Sequence, residues 1–250
     1  MREQKKPLIF TAVMLPIACI AGYFLAIYQI EKFAGPIMDE AIAEIGSKEM
    51  LIAVTVAQNT VYAAIFGFCG YLLSDKLGLI RSFRPEKQAL KKSLLISIIA
   101  ALIFSLDYWT FGALYPEIQT ADAAGLTLTS WIASILGGGI MEELMLRFFF
   151  MSLLAFLLWK IFFRKEQTAP IKVLIIANVI AALLFAAGHI PANALMFGEL
   201  TPLILIRCFL FNGGAGLIFG YLFRKYGIQY AMLSHAMFHI VSKTVWTLFI

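Results

Sequence analysis

The sequence has too few charged residues for a water-soluble protein. Only 14% of its 250 residues are Asp, Glu, Lys or Arg, whereas 61% are hydrophobic. A soluble domain of this length needs far more polar surface than this composition supplies. The shortage of charge excludes an ordinary soluble enzyme and indicates that a lipid bilayer surrounds most of the chain.

Cysteine is also scarce, with only three in the chain: Cys19, Cys69 and Cys208. All three lie in apolar runs, and none forms a CxxC pair. We therefore expect small core residues rather than disulfides or metal ligands.

The long apolar runs predict an all-α, polytopic membrane protein with about seven transmembrane helices. Several runs reach the roughly 20 residues that a helix needs to cross a hydrocarbon core. The expected spans lie near residues 8–30, 51–73, 93–114, 126–161, 173–189, 202–223 and 228–250. We expect residues 1–125 to supply three N-terminal membrane helices and residues 126–250 to form a catalytic core, within one integral membrane domain.

The basic residues alternate between loops in a way that predicts the orientation. Of the 20 Lys and Arg, 15 lie at the N-terminus or near the loops after the second, fourth and sixth spans. The opposite loops hold only Lys32 and Lys48. By the positive-inside rule the protein is a multi-pass protein of the cell membrane with a cytoplasmic N-terminus and an outer C-terminus. Topology accounts for the net charge of +5, so no nucleic-acid partner is expected.

Three charged residues interrupt the fourth apolar run: Glu142, Glu143 and Arg147. Each costs roughly 2.5–3.5 kcal/mol at a bilayer centre, so their presence requires a reason. A helix places Glu143 and Arg147 on one face, where they can form an ion pair. Glu142 points ~100° away from that pair. A desolvated carboxyl without an ion-pair partner is suited to proton transfer.

The same run is longer than a membrane requires. Its 36 residues would span ~54 Å as a helix, against a hydrocarbon core of ~30 Å. Because 137–139 is a run of three glycines, we expect a kink, a strong tilt or a partly re-entrant start there. Straight helices would leave Glu142 ~27 Å from Lys160 but His235 only ~15 Å from Lys225. Glu142 and His235 can therefore reach one depth in the membrane only if the long fourth helix is tilted or its end extends into the cytoplasm.

All three histidines lie on other apolar runs. His189 ends the fifth run, four residues after Phe185, and His235 and His239 are four apart in the seventh. Residues four apart project from one helical face. Glutamates together with every histidine of the chain, on three apolar helices, indicate a functional cluster.

The ordered motifs resemble one family of membrane enzymes. Glu142-Glu143-xxx-Arg147, Phe185-xxx-His189 and His235-xxx-His239 are similar to the EExxxR, FxxxH and HxxxN or HxxxD motifs of the CAAX-protease and bacteriocin-processing family of intramembrane endopeptidases. The resemblance covers about residues 126–250. The chain departs from it at His239, where relatives carry Asn or Asp.

The resemblance implies hydrolysis of a membrane-associated peptide or protein substrate. Glu142, assisted by His189, would activate a water, and His235 with His239 would stabilise the oxyanion. Glu143 would stay paired with Arg147. Zinc is the one cofactor that the resemblance suggests, with Glu142, His189 and His235 as its candidate ligands and His239 as a possible fourth.

Two other functions remain open from the sequence. Intramembrane Glu, Arg and His also build proton relays in transporters and channels. A non-catalytic immunity or scaffold protein would retain the motifs for folding alone. A serine nucleophile is disfavoured, because Ser234 is adjacent to His235 in sequence and a helix turns adjacent side chains ~100° apart. The oligomeric state is left open.

Overall fold

The computed structural model describes residues 5–124 and 126–250, and these residues form helices without any strand. The predicted fold class, an all-α polytopic membrane protein, is confirmed. The α-helices, in chain order, are α1 (Lys6–Lys32), α2 (Pro36–Ile45), α3 (Lys48–Lys76), α4 (Lys87–Ser105), α5 (Phe111–Leu114), α6 (Pro116–Ala124), α7 (Leu128–Ala133), α8 (Ser152–Phe162), α9 (Ile171–Gly188), α10 (Ile190–Phe197), α11 (Pro202–Cys208), α12 (Gly214–Tyr226) and α13 (Ile228–Phe249).

Within the described ranges, six helical segments are long and apolar enough to cross a membrane. They are Lys6–Lys32, Lys48–Lys76, Lys87–Leu114, Leu128–Phe162, Ile171–Phe197 and Pro202–Tyr226. The seventh expected span corresponds to α13, whose 22 residues would cover ~33 Å at 1.5 Å per residue. It is not among the six apolar segments because it carries both motif histidines and Lys243.

Side-chain caps mark three helix starts at the same end of the bundle. Ser47 Oγ accepts from the Met50 N–H at the start of α3, and Thr127 Oγ1 accepts from the Ser130 N–H at the start of α7. Thr201 caps α11 in the same way. Such caps satisfy N–H groups that have no partner inside the helix.

Small residues allow close helix packing on both sides of the bundle. In α1, a Cβ on Gly22 would lie 2.9 Å from the Val56 Cα, so only glycine permits this approach to α3. On the other side, Ser234 Oγ of α13 lies 2.6 Å from Ser97 Oγ of α4. Close backbone approach and short polar contacts of this kind are typical of helix pairs in membranes.

The fourth run is helical throughout, from Leu128 to Phe162. It is irregular at its three glycines, because the winding over Ser134–Met151, between α7 and α8, is π-helical. A π-helix hydrogen-bonds from i to i+5, and such winding is frequent at functional sites. The wider winding covers less height for the same number of residues than an α-helix does.

The three cysteines are free thiols, and Cys19 and Cys69 are only partly buried. Cys208 is buried, and its Sγ lies 3.2 Å from the Ala186 carbonyl oxygen.

A tight turn at Gly227 separates the last two helices, α12 and α13. The φ of Gly227 is 106°. Glycine adopts this conformation without strain, and it sends α13 back along α12.

Candidate active site

Glu143 is the centre of a buried polar cluster between the π-helical segment and α13. Its Oε1 lies 3.1 Å from Arg147 Nη1, and both side chains are at most 1% exposed. The same Oε1 lies 2.9 Å from His235 Nδ1. A carboxylate only accepts, so Nδ1–H of His235 donates to it. One carboxylate thus holds the arginine of the first motif and the histidine of the last motif together.

Aromatic rings enclose the arginine. The Arg147 guanidinium lies 4.4 Å from the centre of the Phe185 ring and 5.7 Å from that of Phe219. Phe219 also stacks on the His235 ring, with centroids 4.3 Å apart. Gly216 leaves room for this arrangement, because a Cβ there would lie 3.0 Å from Arg147 Nη2. Cation–π contacts stabilise a desolvated guanidinium, and they explain why a phenylalanine accompanies the histidine in the second motif.

Arg147 Nη1 has an ion-pair distance to Glu143, yet its geometry falls short of a hydrogen bond, and Glu143 Oε2 has no hydrogen-bond partner among the described residues. At a separation of 3.1 Å the two charges still attract each other strongly, because Coulomb attraction between buried charges does not need linear hydrogen-bond geometry. The cluster is therefore held by charge and by packing.

His189 is oriented by the backbone of its own helix. Its Nδ1 lies 2.8 Å from the Phe185 carbonyl oxygen. That oxygen only accepts, so the proton of a neutral His189 sits on Nδ1 and the lone pair is on Nε2. Asn193 Nδ2 donates to the His189 carbonyl oxygen over 2.7 Å. These two contacts hold the ring at the junction between α9 and α10.

A cavity of about 360 Å³ brings Glu142 together with the three histidines, His189, His235 and His239. Glu142 is partly exposed on its wall, whereas Glu143, the next residue, is fully buried. Within the described part of the chain, no hydrogen bond or ion pair involves the Glu142 carboxyl. The structure therefore separates the two glutamates in the way that helical geometry predicted.

His239 packs against the glycine run. A Cβ on Gly138 would lie 2.6 Å from His239 Nε2, whereas a Cβ on Gly137 would meet nothing within 4 Å. The His239 ring also stacks on His235, with centroids 4.9 Å apart and an interplanar angle of 26°. Glycine at 138 thus provides the space that an imidazole takes up at 239.

Sequence reasoning missed two basic residues of this cavity and one contact below it. Lys243 is buried, and its Nζ donates to Ser130 Oγ over 2.6 Å. Arg207 lines the cavity and holds the fully buried Asp107, with its Nε 2.9 and 2.8 Å from the two carboxylate oxygens. The contact that sequence reasoning missed is the one between Glu143 and His235. Lys243 could have been identified as a cavity residue from the sequence, because it lies one helical turn after His239 on the same face.

Zinc is the cofactor that the sequence motifs suggested, with Glu142, His189 and His235 as its candidate ligands. His235 Nδ1 contacts the Glu143 carboxylate, and His189 Nδ1 contacts the Phe185 carbonyl oxygen. Contacts of this kind orient metal-binding histidines in proteins. However, no group of three His, Cys, Asp or Glu among residues 5–124 and 126–250 comes close enough to hold a metal. Glu142, His189 and His235 nevertheless line the same cavity.

Ser234 faces away from this cavity. It is fully buried, and its hydroxyl is bonded to Ser97 of α4. The structure therefore agrees with the argument that adjacent helical residues diverge, and it leaves no role for Ser234 as a nucleophile beside His235.

The fold and the site define a class: a polytopic helical membrane protein with a polar cavity lined by glutamate and histidine. The sequence model of the Rce1-like family, described as type II CAAX prenyl endopeptidase Rce1-like, matches residues 124–241. This range includes every residue of the three motifs. The match places this part of the chain in the CAAX-protease and bacteriocin-processing family, as the motifs had indicated, and that family indicates CAAX-type intramembrane endopeptidase activity. No curated protein and no solved structure matches the chain.

Proposed function

We propose that this protein is an intramembrane endopeptidase that hydrolyses a membrane-associated peptide or protein substrate through an activated water. The observation that carries the proposal is the shared cavity of Glu142, His189, His235 and His239. It lies directly above a buried ion pair that belongs to the same motif set. Proton-transfer catalysis requires acid–base groups around one pocket that a substrate can enter.

Glu142 is the general base of the proposed reaction. Its carboxylate takes a proton from water, and the water oxygen attacks the carbonyl carbon of the scissile peptide bond. His189 assists through Nε2, because its Nδ1 proton is committed to the Phe185 carbonyl. The proton that Glu142 holds then passes to the leaving amine as the C–N bond breaks, so one water is consumed for each bond cleaved.

His235 and His239 stabilise the tetrahedral intermediate. Glu143 accepts from His235 Nδ1 and so fixes the direction of the ring. When His235 is protonated on both nitrogens, its Nε2–H remains available for the oxyanion. His239 presents a second imidazole on the same helical face. Oriented donors of this kind need no reorganisation as charge develops on the oxyanion.

The packing below the cavity disfavours a channel or transporter. A through-path would have to cross Arg147, Phe148, Phe219 and Phe223, which are at most 1% exposed. An ion pathway needs polar or hydrated space on both sides of the site. Because buried side chains fill the bundle on one side of the cavity, the cavity is better explained as an enzyme pocket with one open end.

The test compares cleavage of a peptide library by purified wild-type protein and Glu142→Gln. We expect the variant to cleave about 10²–10⁴-fold more slowly, the range that general acid–base catalysis contributes. Its folded yield should be unchanged, because Glu142 has no ion-pair partner among the described residues. The matched control is Glu44→Gln, at an exposed position of α2, which should cleave at the wild-type rate. Equal cleavage by wild type and Glu142→Gln would refute the proposal.

A further inference from the structure

The walls of the catalytic cavity come from one end of the bundle. From α1 the cavity is lined only by the last residues, beginning at Leu25, and from α4 only by Phe104, next to its end. From α12 it is lined only by Ala215, next to its start. These positions all lie toward the end that carries α2, α6 and α10. The cavity therefore extends from the motif residues toward that end.

A second cavity continues the first to the surface. Its volume is about 640 Å³, and it is lined in addition by residues of α2 and α6. The two cavities share five wall residues: Tyr28, Lys32, Phe33, Ala121 and Met196. The second cavity therefore adjoins the first at the end of the bundle that carries α2 and α6.

The opposite end is closed by packed rings. Phe148 is fully buried and lies 4.8 Å from Phe10 and 6.1 Å from Phe223, measured between ring centroids. Phe219 is likewise fully buried beneath His235. Close-packed interiors contain few voids larger than a water molecule.

The closed end is also the basic end. Of the 19 described Lys and Arg residues, 14 lie there, at the start of α1 or in and beside the loops 77–86 and 163–170 and the turn after α12. They are Lys5, Lys6, Lys76, Arg81, Arg84, Lys87, Lys91, Lys92, Lys160, Arg164, Lys165, Lys172, Arg224 and Lys225. The open end has Lys32 and Lys48 as its loop lysines. Basic loops stay on the cytoplasmic side of a membrane.

We propose that the active site takes its substrate from the outer face of the membrane. On this view the substrate is a peptide segment exposed outside the cytoplasm, either an exported peptide or the outer segment of a membrane protein. A lipidated tail on a cytoplasmic protein lies on the closed side. This inference rests on the proposed peptidase function for the reaction, and on the cavity and the charge pattern for its direction.

Cysteine labelling tests the direction without any activity assay. In a chain with its three native cysteines replaced by alanine, single cysteines are placed at Met196, at Glu40 of α2 and at Glu86, which precedes α4. Intact cells are treated with a membrane-impermeant maleimide. Positions 40 and 196 should label in intact cells, and position 86 only after permeabilisation. Labelling of position 86 in intact cells, with 40 and 196 protected, would overturn the inference.

Oriented vesicles test the route of the substrate. A peptide that the detergent-purified enzyme cleaves in a Glu142-dependent manner is added outside right-side-out and inside-out membrane vesicles. We expect cleavage at least ten times faster in right-side-out vesicles, with the difference removed by detergent. The reverse preference would overturn the inference and leave the peptidase function intact. Absence of any cleavage in detergent would instead refute the function, while the labelling result still decides the direction.

Discussion

Below His235 the bundle is filled by aromatic rings around one ion pair, whereas above it the same helices line a cavity of about 360 Å³. The boundary between the two regions passes between Glu142 and Glu143. One carboxylate is partly exposed in the cavity, and the other is fully buried between Arg147 and His235. Adjacent and chemically identical residues thus meet opposite environments, and these environments assign a reactive role to one and an organising role to the other.

The packed region should be the most sensitive to loss of charge pairing. Arg147→Ala leaves Glu143 charged with His235 as its remaining partner in a dry site, which costs about 3–5 kcal/mol for a broken buried pair. We expect a marked loss of folded yield as well as of activity, measured by size-exclusion chromatography after detergent extraction and by cleavage assay.

The double variant Glu143→Gln with Arg147→Met is the control for this prediction. It removes both charges at similar volume, so part of the folded yield should return. A stable and fully active Arg147→Ala protein would contradict the ion-pair interpretation and the division into two regions.

The two histidines of α13 should differ sharply, although they share one face. His235→Asn removes the ring that Glu143 orients, and we expect a loss of about 10²–10⁴-fold in cleavage rate. His239→Asn restores the residue that relatives carry, and its side-chain amide still donates a hydrogen bond. We expect it to retain cleavage within about tenfold of wild type.

Metal analysis of both histidine variants belongs in the same experiment. If His239 is a hydrogen-bond donor, His239→Asn leaves the metal content of the purified protein at the wild-type level. A joint loss of bound metal and activity in His239→Asn would make His239 a ligand and would overturn its assignment as a donor.

The glycine run should show a smaller and more specific effect. Gly138→Ala places a Cβ 2.6 Å from His239 Nε2, so the ring must rotate away, and we expect about a tenfold slower cleavage at unchanged folded yield. Gly137→Ala, whose Cβ meets nothing within 4 Å, is the matched control. When His239→Asn is already present, Gly138→Ala should slow cleavage little further, because the imidazole that it displaces is gone. If the two substitutions instead reduce the cleavage rate additively, the contact between residue 138 and His239 is not the cause.

The smallest effect is expected on the far side of α13. Ser234→Ala removes one hydroxyl from the contact with Ser97, which keeps its own bond to the Ser93 carbonyl oxygen. We expect a stability loss of about 1 kcal/mol and cleavage within twofold of wild type. A large loss of activity at normal folded yield would return Ser234 to the list of catalytic candidates.

Much of the architecture could be read from the chain because the bilayer imposes simple rules. The apolar runs predicted the helices, although helices begin and end two or more residues beyond several expected bounds. Helical periodicity predicted that Glu143 lies beside Arg147 and that Glu142 diverges from it, because both relations are local. The seventh expected span, 228–250, agrees closely with α13 (Ile228–Phe249), and the buried residues of this helix include Ser234, His235 and Lys243.

What the sequence by itself determined is local: helix positions, the i to i+4 ion pair, the shared face of His235 and His239, and the ordered motifs of the family. Only the tertiary structure decided that Glu143 also binds His235, that Gly138 makes room for His239, and that π-helical winding runs through the segment that carries Glu142. The reason is physical. Contacts within one helix follow from its repeat, whereas contacts between helices depend on their depth and rotation, which packing sets.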